Sequence, residues 1–256
     1  MAQDAVAPSS LGQLINHTFG IYQRTLGTMV RIALPAQIPF LVASVLSNDT
    51  AIIAMTLVGL FTGLIASGAV TYAVTRYYLG HPVGAADSYV GAMNNGVSLL
   101  ANGLLFAGAV FGGIALSLLI IGIPVLVFIL VALFFYVQAV VIENKAPVDA
   151  LGRSWQLVRG LWWRTFFLGI AFVLVVVVIG LVLSLPGLAV SLANPTLGDF
   201  LATLAGVFVA PIGSIGATLV YFDLRARKEG LTLSRLAKEI GLTPSGPPSE
   251  GPGRPL

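Results

Sequence analysis

The stretch SLLANGLLFAGAVFGGIALSLLIIGIPVLVFILVALFFYVQAVVI, residues 98–142, contains no Asp, Glu, Lys, Arg or His. As a single α-helix it would run ~67 Å at 1.5 Å per residue, more than twice the ~30 Å of hydrocarbon in a bilayer. The chain must therefore turn inside it. Gly122-Ile123-Pro124 is the natural place, because a proline cannot continue the helix that precedes it but suits the first turn of a new one. Two apolar crossings joined by so short a turn decide the architecture: an all-α integral membrane protein built of hairpins.

Working outward, the apolar stretches 28–47, 51–78, 164–190 and 200–222 flank the pair 98–120 and 124–142, giving about six segments of spanning length. Composition agrees. The 256 residues are 57% hydrophobic and 9% charged, where an ordinary soluble domain is about a quarter charged, so no soluble fold could cover this much apolar surface. The net charge of +3 does not point to nucleic acid, since the cations stand between apolar runs instead of clustering with stacking aromatics. The absence of cysteine excludes disulfides, zinc thiolates, iron–sulfur clusters and prenyl or palmitoyl anchors. Asp4, Ser9-Ser10 and the lack of an uninterrupted apolar core in the first 27 residues argue against a cleaved signal peptide.

Orientation follows from the cations. Arg24, Arg31, Arg76, Lys145, Arg153, Arg159, Arg164, Arg225, Arg227, Lys228, Arg235, Lys238 and Arg254 are all thirteen Lys and Arg, and six spans put every one on a single side. By the positive-inside rule that side is the cytosol, with both termini. The opposite connections, Asn48-Asp49-Thr50, Gly122-Ile123 and Asn194 to Asp199, carry acids or neutral residues only.

An amphipathic stretch precedes the first, third and fifth spans, which suggests one unit used three times. In the first stretch Leu11, Leu14, Ile15, Thr18, Phe19, Tyr22 and Leu26 recur at helical spacing. In the second, Ala86, Tyr89, Val90, Met93 and Val97 do so. In the third, Val148, Leu151, Trp155, Val158 and Trp162 oppose Asp149, Arg153 and Gln156, with Pro147 at a first helical position. All three are expected to lie along the cytosolic interface, with Trp155 turned to lipid or the bundle and Arg153 to water or lipid phosphate. Trp155, Trp162, Trp163, Tyr77, Tyr78, Tyr221 and Phe222 read as an aromatic belt. A short helix through Leu233, Leu236, Ala237 and Ile240 should end at Gly241. Residues 9–241 thus form the membrane domain, with disorder expected at 1–8 and in the Pro/Gly/Ser-rich tail 242–256.

Little here resembles an active site. Arg31, Arg76 and Glu143 stand near span ends within snorkelling range. His17 and His81 are in separate segments without metal-site spacing, and no paired intramembrane carboxylates, phosphate-binding loop or nucleophile elbow appears. No cofactor or metal is expected. Small residues form a clearer pattern: Thr56, Gly59, Gly63, Ser67, Thr71 and Thr75 along the second span, Ala202, Gly206, Ala210, Gly213 and Ala217 along the sixth, and the pair Gly108/Gly112. Close helix packing is the favoured reading, and a weakly polar pathway the other. The cytosolic-face candidates are Glu143, Arg153, Trp155, Arg159, Asp223, Arg225 and Arg227. Glu143 is expected to pair with Arg225 or Arg227, and Asp223 with Arg153 or Arg159.

Residues 140–160, Val140-Val141-Ile142-Glu143-Asn144-Lys145-Ala146-Pro147-Val148-Asp149-Ala150-Leu151-Gly152-Arg153-Ser154-Trp155-Gln156-Leu157-Val158-Arg159-Gly160, resemble the signature loop of the multi-pass membrane region fused to some bacterial glycerophosphoryl diester phosphodiesterases. Tyr221-Phe222-Asp223-Leu224-Arg225-Ala226-Arg227-Lys228-Glu229-Gly230 is similar to the segment that closes that region. The resemblance implies a bacterial cytoplasmic membrane protein but no phosphodiesterase activity, which in fused members belongs to a separate barrel with its own His and acidic ligands. The sequence therefore points to a non-enzymatic accessory, scaffolding or regulatory protein whose partners are the lipid bilayer and other membrane proteins or lipid enzymes. The alternative is a small-solute or lipid transporter using the small/polar face of the second span. A membrane-embedded hydrolase lacks a nucleophile with its base.

Overall fold

A computed structural model describes residues 5–119 and 122–242. Among the described residues ten helices follow one another: α1 (Leu11–Ala43), α2 (Asp49–Tyr78), α3 (Ala85–Met93), α4 (Gly96–Ser117), α5 (Gly122–Leu133), α6 (Tyr136–Glu143), α7 (Asp149–Val158), α8 (Trp162–Ser191), α9 (Pro195–Glu229) and α10 (Leu233–Glu239). Among the described residues no strand forms, and extended pairing is limited to an isolated bridge between Ala5 and Thr232. Six segments are long and apolar enough to cross a membrane: α1, α2, α4, α5 with α6, α8 and α9.

Local chemistry sets the ends. Asn48 and Asn194 cap α2 and α9 through their side-chain oxygens, and Pro195 occupies the first turn of α9, where its missing N–H removes no helical bond. Ser10 and Gln13 form a reciprocal capping box at the start of α1. α5 begins at Gly122, two residues before Pro124. A Cβ at Gly122 would lie 2.0 Å from the Leu116 carbonyl, so the turn between α4 and α5 admits only glycine there.

The first amphipathic stretch is not a separate surface helix. It is the first half of α1, one helix of 33 residues through Pro35 and Pro39. The second and third are separate, as α3 and α7, although α7 starts at Asp149, with Pro147 in the preceding turn and Val148 at φ 72°. That conformation is costly for a β-branched residue. In the described part of the N-terminal segment the Val6 side chain is buried and its N–H donates to the Leu231 carbonyl at 2.9 Å. Leu242 donates to the Ala237 carbonyl; the rest of the tail, and residues 1–4, lie outside the described residues.

The core joins α1, α2, α8 and α9 at the basic end, with α3, α6, α7 and α10 packed around it. Hydroxyls tie the helices together: Tyr22 donates to the Phe208 carbonyl, Tyr89 to that of Ile32 and Thr62 to that of Ala36. Beyond this end the outer faces of α4, α5 and α8 are apolar and open, with Phe111, Phe167, Val173 and Leu181 more than half exposed. That is the pattern of a surface solvated by hydrocarbon.

The fourth span is broken. α5 stops at Leu133, Phe134 and Phe135 form a turn, and α6 resumes at Tyr136. Ser154 of α7 repairs the break: its hydroxyl donates to the Ala132 carbonyl at 2.8 Å and accepts the Phe135 N–H at 3.0 Å. All three residues are buried. Interrupted backbone at such depth requires this kind of substitute partner.

Candidate functional site

The side chains with the most distinctive chemistry collect where α6 and α9 end. Glu143 closes α6, and Asn144, at φ 52°, turns the chain in the left-handed conformation that asparagine tolerates. The Glu143 carboxylate takes Arg153 Nε at 2.8 Å and Nη2 at 2.9 Å, accepts the Tyr221 hydroxyl, and lies 3.3 Å from Arg225 Nε. Arg225 is wholly buried and sends Nη1 and Nη2, each at 2.7 Å, to the two oxygens of Glu239 on α10. Glu229, one turn along α9, receives Arg153, Arg225 and Arg235. Three acids and three arginines from α6, α7, α9 and α10 thus balance. Burial would lower the pKa of Arg153, but hydrogen bonds to Glu229 and Glu143 outweigh it and raise the value above the ordinary one. Arg225 also lies over the Tyr221 ring, 5.8 Å from its centre.

A second cluster joins the N-terminal segment to α8 and α9. Asp223 accepts the Ser9 N–H at 2.7 Å, Arg164 Nη2 at 2.9 Å and Arg227 Nε at 3.0 Å. The Ser9 carbonyl in turn accepts from Arg164 at 2.8 Å and Arg227 at 3.0 Å. Lys228 donates to the carbonyls of Gln156 and Arg159 at the end of α7, and the Asn144 amide reaches Asn95 and the Glu239 carbonyl.

Of the expected pairs, Glu143–Arg225 is present, yet Arg153 holds Glu143 more closely. Asp223 meets neither Arg153 nor Arg159; its partners are Arg164 and Arg227, because Arg153 is turned inward to Glu143 and Glu229. The same turn keeps Arg153 from water. Arg159 enters through its backbone carbonyl, and its side chain is exposed. Trp155 faces the bundle, edge-on to Phe128 of α5 at 5.1 Å. Tyr221 and Phe222 are buried, not belt residues, because α9 continues to Glu229 and encloses them. Sequence reasoning missed Arg164, Tyr221, Glu229, Arg235 and Glu239 as members of these clusters. The i,i+4 spacings Asp223/Arg227, Arg225/Glu229 and Arg235/Glu239 were the available signal.

The small-residue stripe of α2 divides. Ser67 and Thr71 meet Ser214 and Thr218 of α9 at 3.5 and 3.4 Å, Thr75 bonds back to the Thr71 carbonyl, and Gly59 lies so close to the Phe40 ring that a Cβ would come within 2.6 Å. Thr56 bonds within its own helix, and Gly63 has nothing within 4 Å. On α9, Gly206 packs against Gln37. A Cβ at Gly108 or Gly112 would meet no other side chain or helix within 4 Å, whereas Gly103 and Gly113 on the same helix pack against Leu64 and Leu126.

A family model described as Domain of unknown function (DUF7847) matches residues 1–224. No curated protein and no solved structure shows a significant match.

Proposed function

The chain belongs to that family of unknown function, and from this premise we propose that it is a non-enzymatic, multi-pass protein of the bacterial cytoplasmic membrane, with cytosolic termini, that organises, regulates or accompanies partner proteins or lipid enzymes. In this reading three hairpins cross the bilayer, α3 and α7 lie at the cytosolic interface, and the basic end faces the cytosol. The observation that carries it is how the ionisable groups there are used. Glu143, Arg153, Arg225, Glu229, Arg235 and Glu239 bond to one another across four elements, which favours a rigid platform over a reaction centre. The Ser67/Ser214 and Thr71/Thr218 contacts likewise favour packing over a pathway along α2. The resemblance to the membrane region of glycerophosphoryl diester phosphodiesterases supports a link to lipid enzymes.

Two experiments test the proposal. Reporter fusions at residues 49, 123 and 196 should read outside and those at 85, 150 and 245 inside; an outside reading at 150 would overturn the topology. Affinity purification of the tagged chain in mild detergent should bring down defined membrane partners. Solute uptake or lipid translocation by the pure protein in vesicles would instead establish the transporter.

A further inference from the structure

The start of α8 carries a further feature beside the second cluster. Gly160, Leu161, Trp162, Trp163 and Arg164 line a concavity of about 240 Å³. Its wall continues into apolar surface, since Trp163 is 67% exposed and Phe167, one turn on, 61%. At its edge stands Arg164, which shares the Ser9 carbonyl with Arg227. Both guanidinium groups are held by the Ser9 carbonyl and Asp223 and remain about a third exposed, so they bring fixed positive charge to this edge.

Charge points the same way. Lys228 donates to the Arg159 carbonyl, one residue before Gly160, so Lys228 lies beside this corner with Arg164 and Arg227, and Arg159 directly precedes it in the chain. Among the described residues the one carboxylate hydrogen-bonded to any of these four is Asp223. Glu229 is engaged by Arg153, Arg225 and Arg235. Unbalanced positive charge beside an open aromatic wall fits an amphiphile with an anionic head.

We propose that this corner binds the phosphate headgroup of an anionic phospholipid from the adjoining leaflet, with the acyl chains along Trp163 and Phe167. A phosphate ion would share the headgroup chemistry, but it would leave the aromatic wall uncovered. The inference rests on the membrane reading above.

Native mass spectrometry of the full chain in detergent, with short-chain phosphatidylglycerol and phosphatidylcholine, tests it. Phosphatidylglycerol should be retained about tenfold or more over phosphatidylcholine, and millimolar inorganic phosphate should not displace it. Each surface cation near an anionic headgroup contributes roughly a fivefold preference, so Arg159→Gln should lower that preference about fivefold. Trp163→Ala should weaken both lipids. Both residues are exposed, so the test does not depend on the Arg164–Asp223 pair surviving substitution. Arg76→Gln with Lys145→Gln, elsewhere on the basic end, should change nothing. No preference for phosphatidylglycerol, displacement by phosphate, or equal losses in the control would overturn the proposal. A chain that fractionates with membranes yet shows no preference refutes this inference alone, whereas a chain absent from membranes refutes the reading beneath it.

Discussion

Ser154→Ala removes one oxygen from the repaired break in the fourth span and changes no charge. That oxygen serves the Ala132 carbonyl at 2.8 Å and the Phe135 N–H at 3.0 Å, where both residues and Ser154 are 2% exposed or less. An orphaned buried polar group costs ~1–3 kcal/mol. Two would give up to ~6 kcal/mol, and partial relaxation of the turn should bring the loss to about 2–4 kcal/mol. At roughly 2–4 °C per kcal/mol for a chain of this size, Tm should fall by about 5–15 °C. Thermal unfolding in detergent, followed by tryptophan emission, measures it. The control is Ser184→Ala, since Ser184 Oγ bonds the Leu181 carbonyl at an exposed position, where a change within about 0.5 kcal/mol is expected. If Ser154→Ala unfolded within that margin of the parent, the break would not depend on α7 and the reasoning would fail.

Further expectations follow from the clusters and the close contacts. Glu143→Ala leaves the buried Tyr221 hydroxyl without its acceptor and takes one carboxylate from Arg153, while Glu229 and Glu239 still hold Arg225, and should cost about 1–3 kcal/mol, read as loss of monodisperse protein by fluorescence-detected size exclusion; the exchange Glu143→Arg with Arg153→Glu should recover part of the loss that Glu143→Arg alone causes, and no recovery would count against direct pairing. Gly187→Ala would drive a Cβ to 2.6 Å from the Ala202 backbone nitrogen and should destabilise by about 1–3 kcal/mol, while Gly63→Ala, with open space around it, should stabilise α2 by about 0.5–1 kcal/mol; the two melting shifts must have opposite signs. Asp223→Asn weakens the hold on Ser9 and should expose residues 5–10 to limited proteolysis, with unchanged cleavage refuting that role for Asp223.

The crossings were legible because long apolar runs bounded by Asn48, Pro124 and Asn194 leave few alternatives. Other features were hidden for physical reasons. The polar stripe from Gln13 to Arg24 looks like an independent surface helix, but nothing in it breaks the backbone, and α1 simply continues. The interruption at Phe134–Phe135 has no proline or glycine to announce it, and the hydroxyl that permits it comes from residue 154. Glu143 could be recognised as a pairing acid from its place at a span end, yet which arginine reaches it depends on how α7 folds back. The same fold-back decided the partners of Asp223.

The pairing of Ala5 with Thr232 and of Ser9 with Asp223 has a consequence for biosynthesis. Ser9 leaves the ribosome 214 positions ahead of its partner Asp223, a delay of roughly 10–40 s at 5–20 residues per second. Through that interval Val6 and the capping segment of α1 stand without the groups that hold them, so the assembled end is a mark that α9 has been made, which a chain stalled before it cannot display.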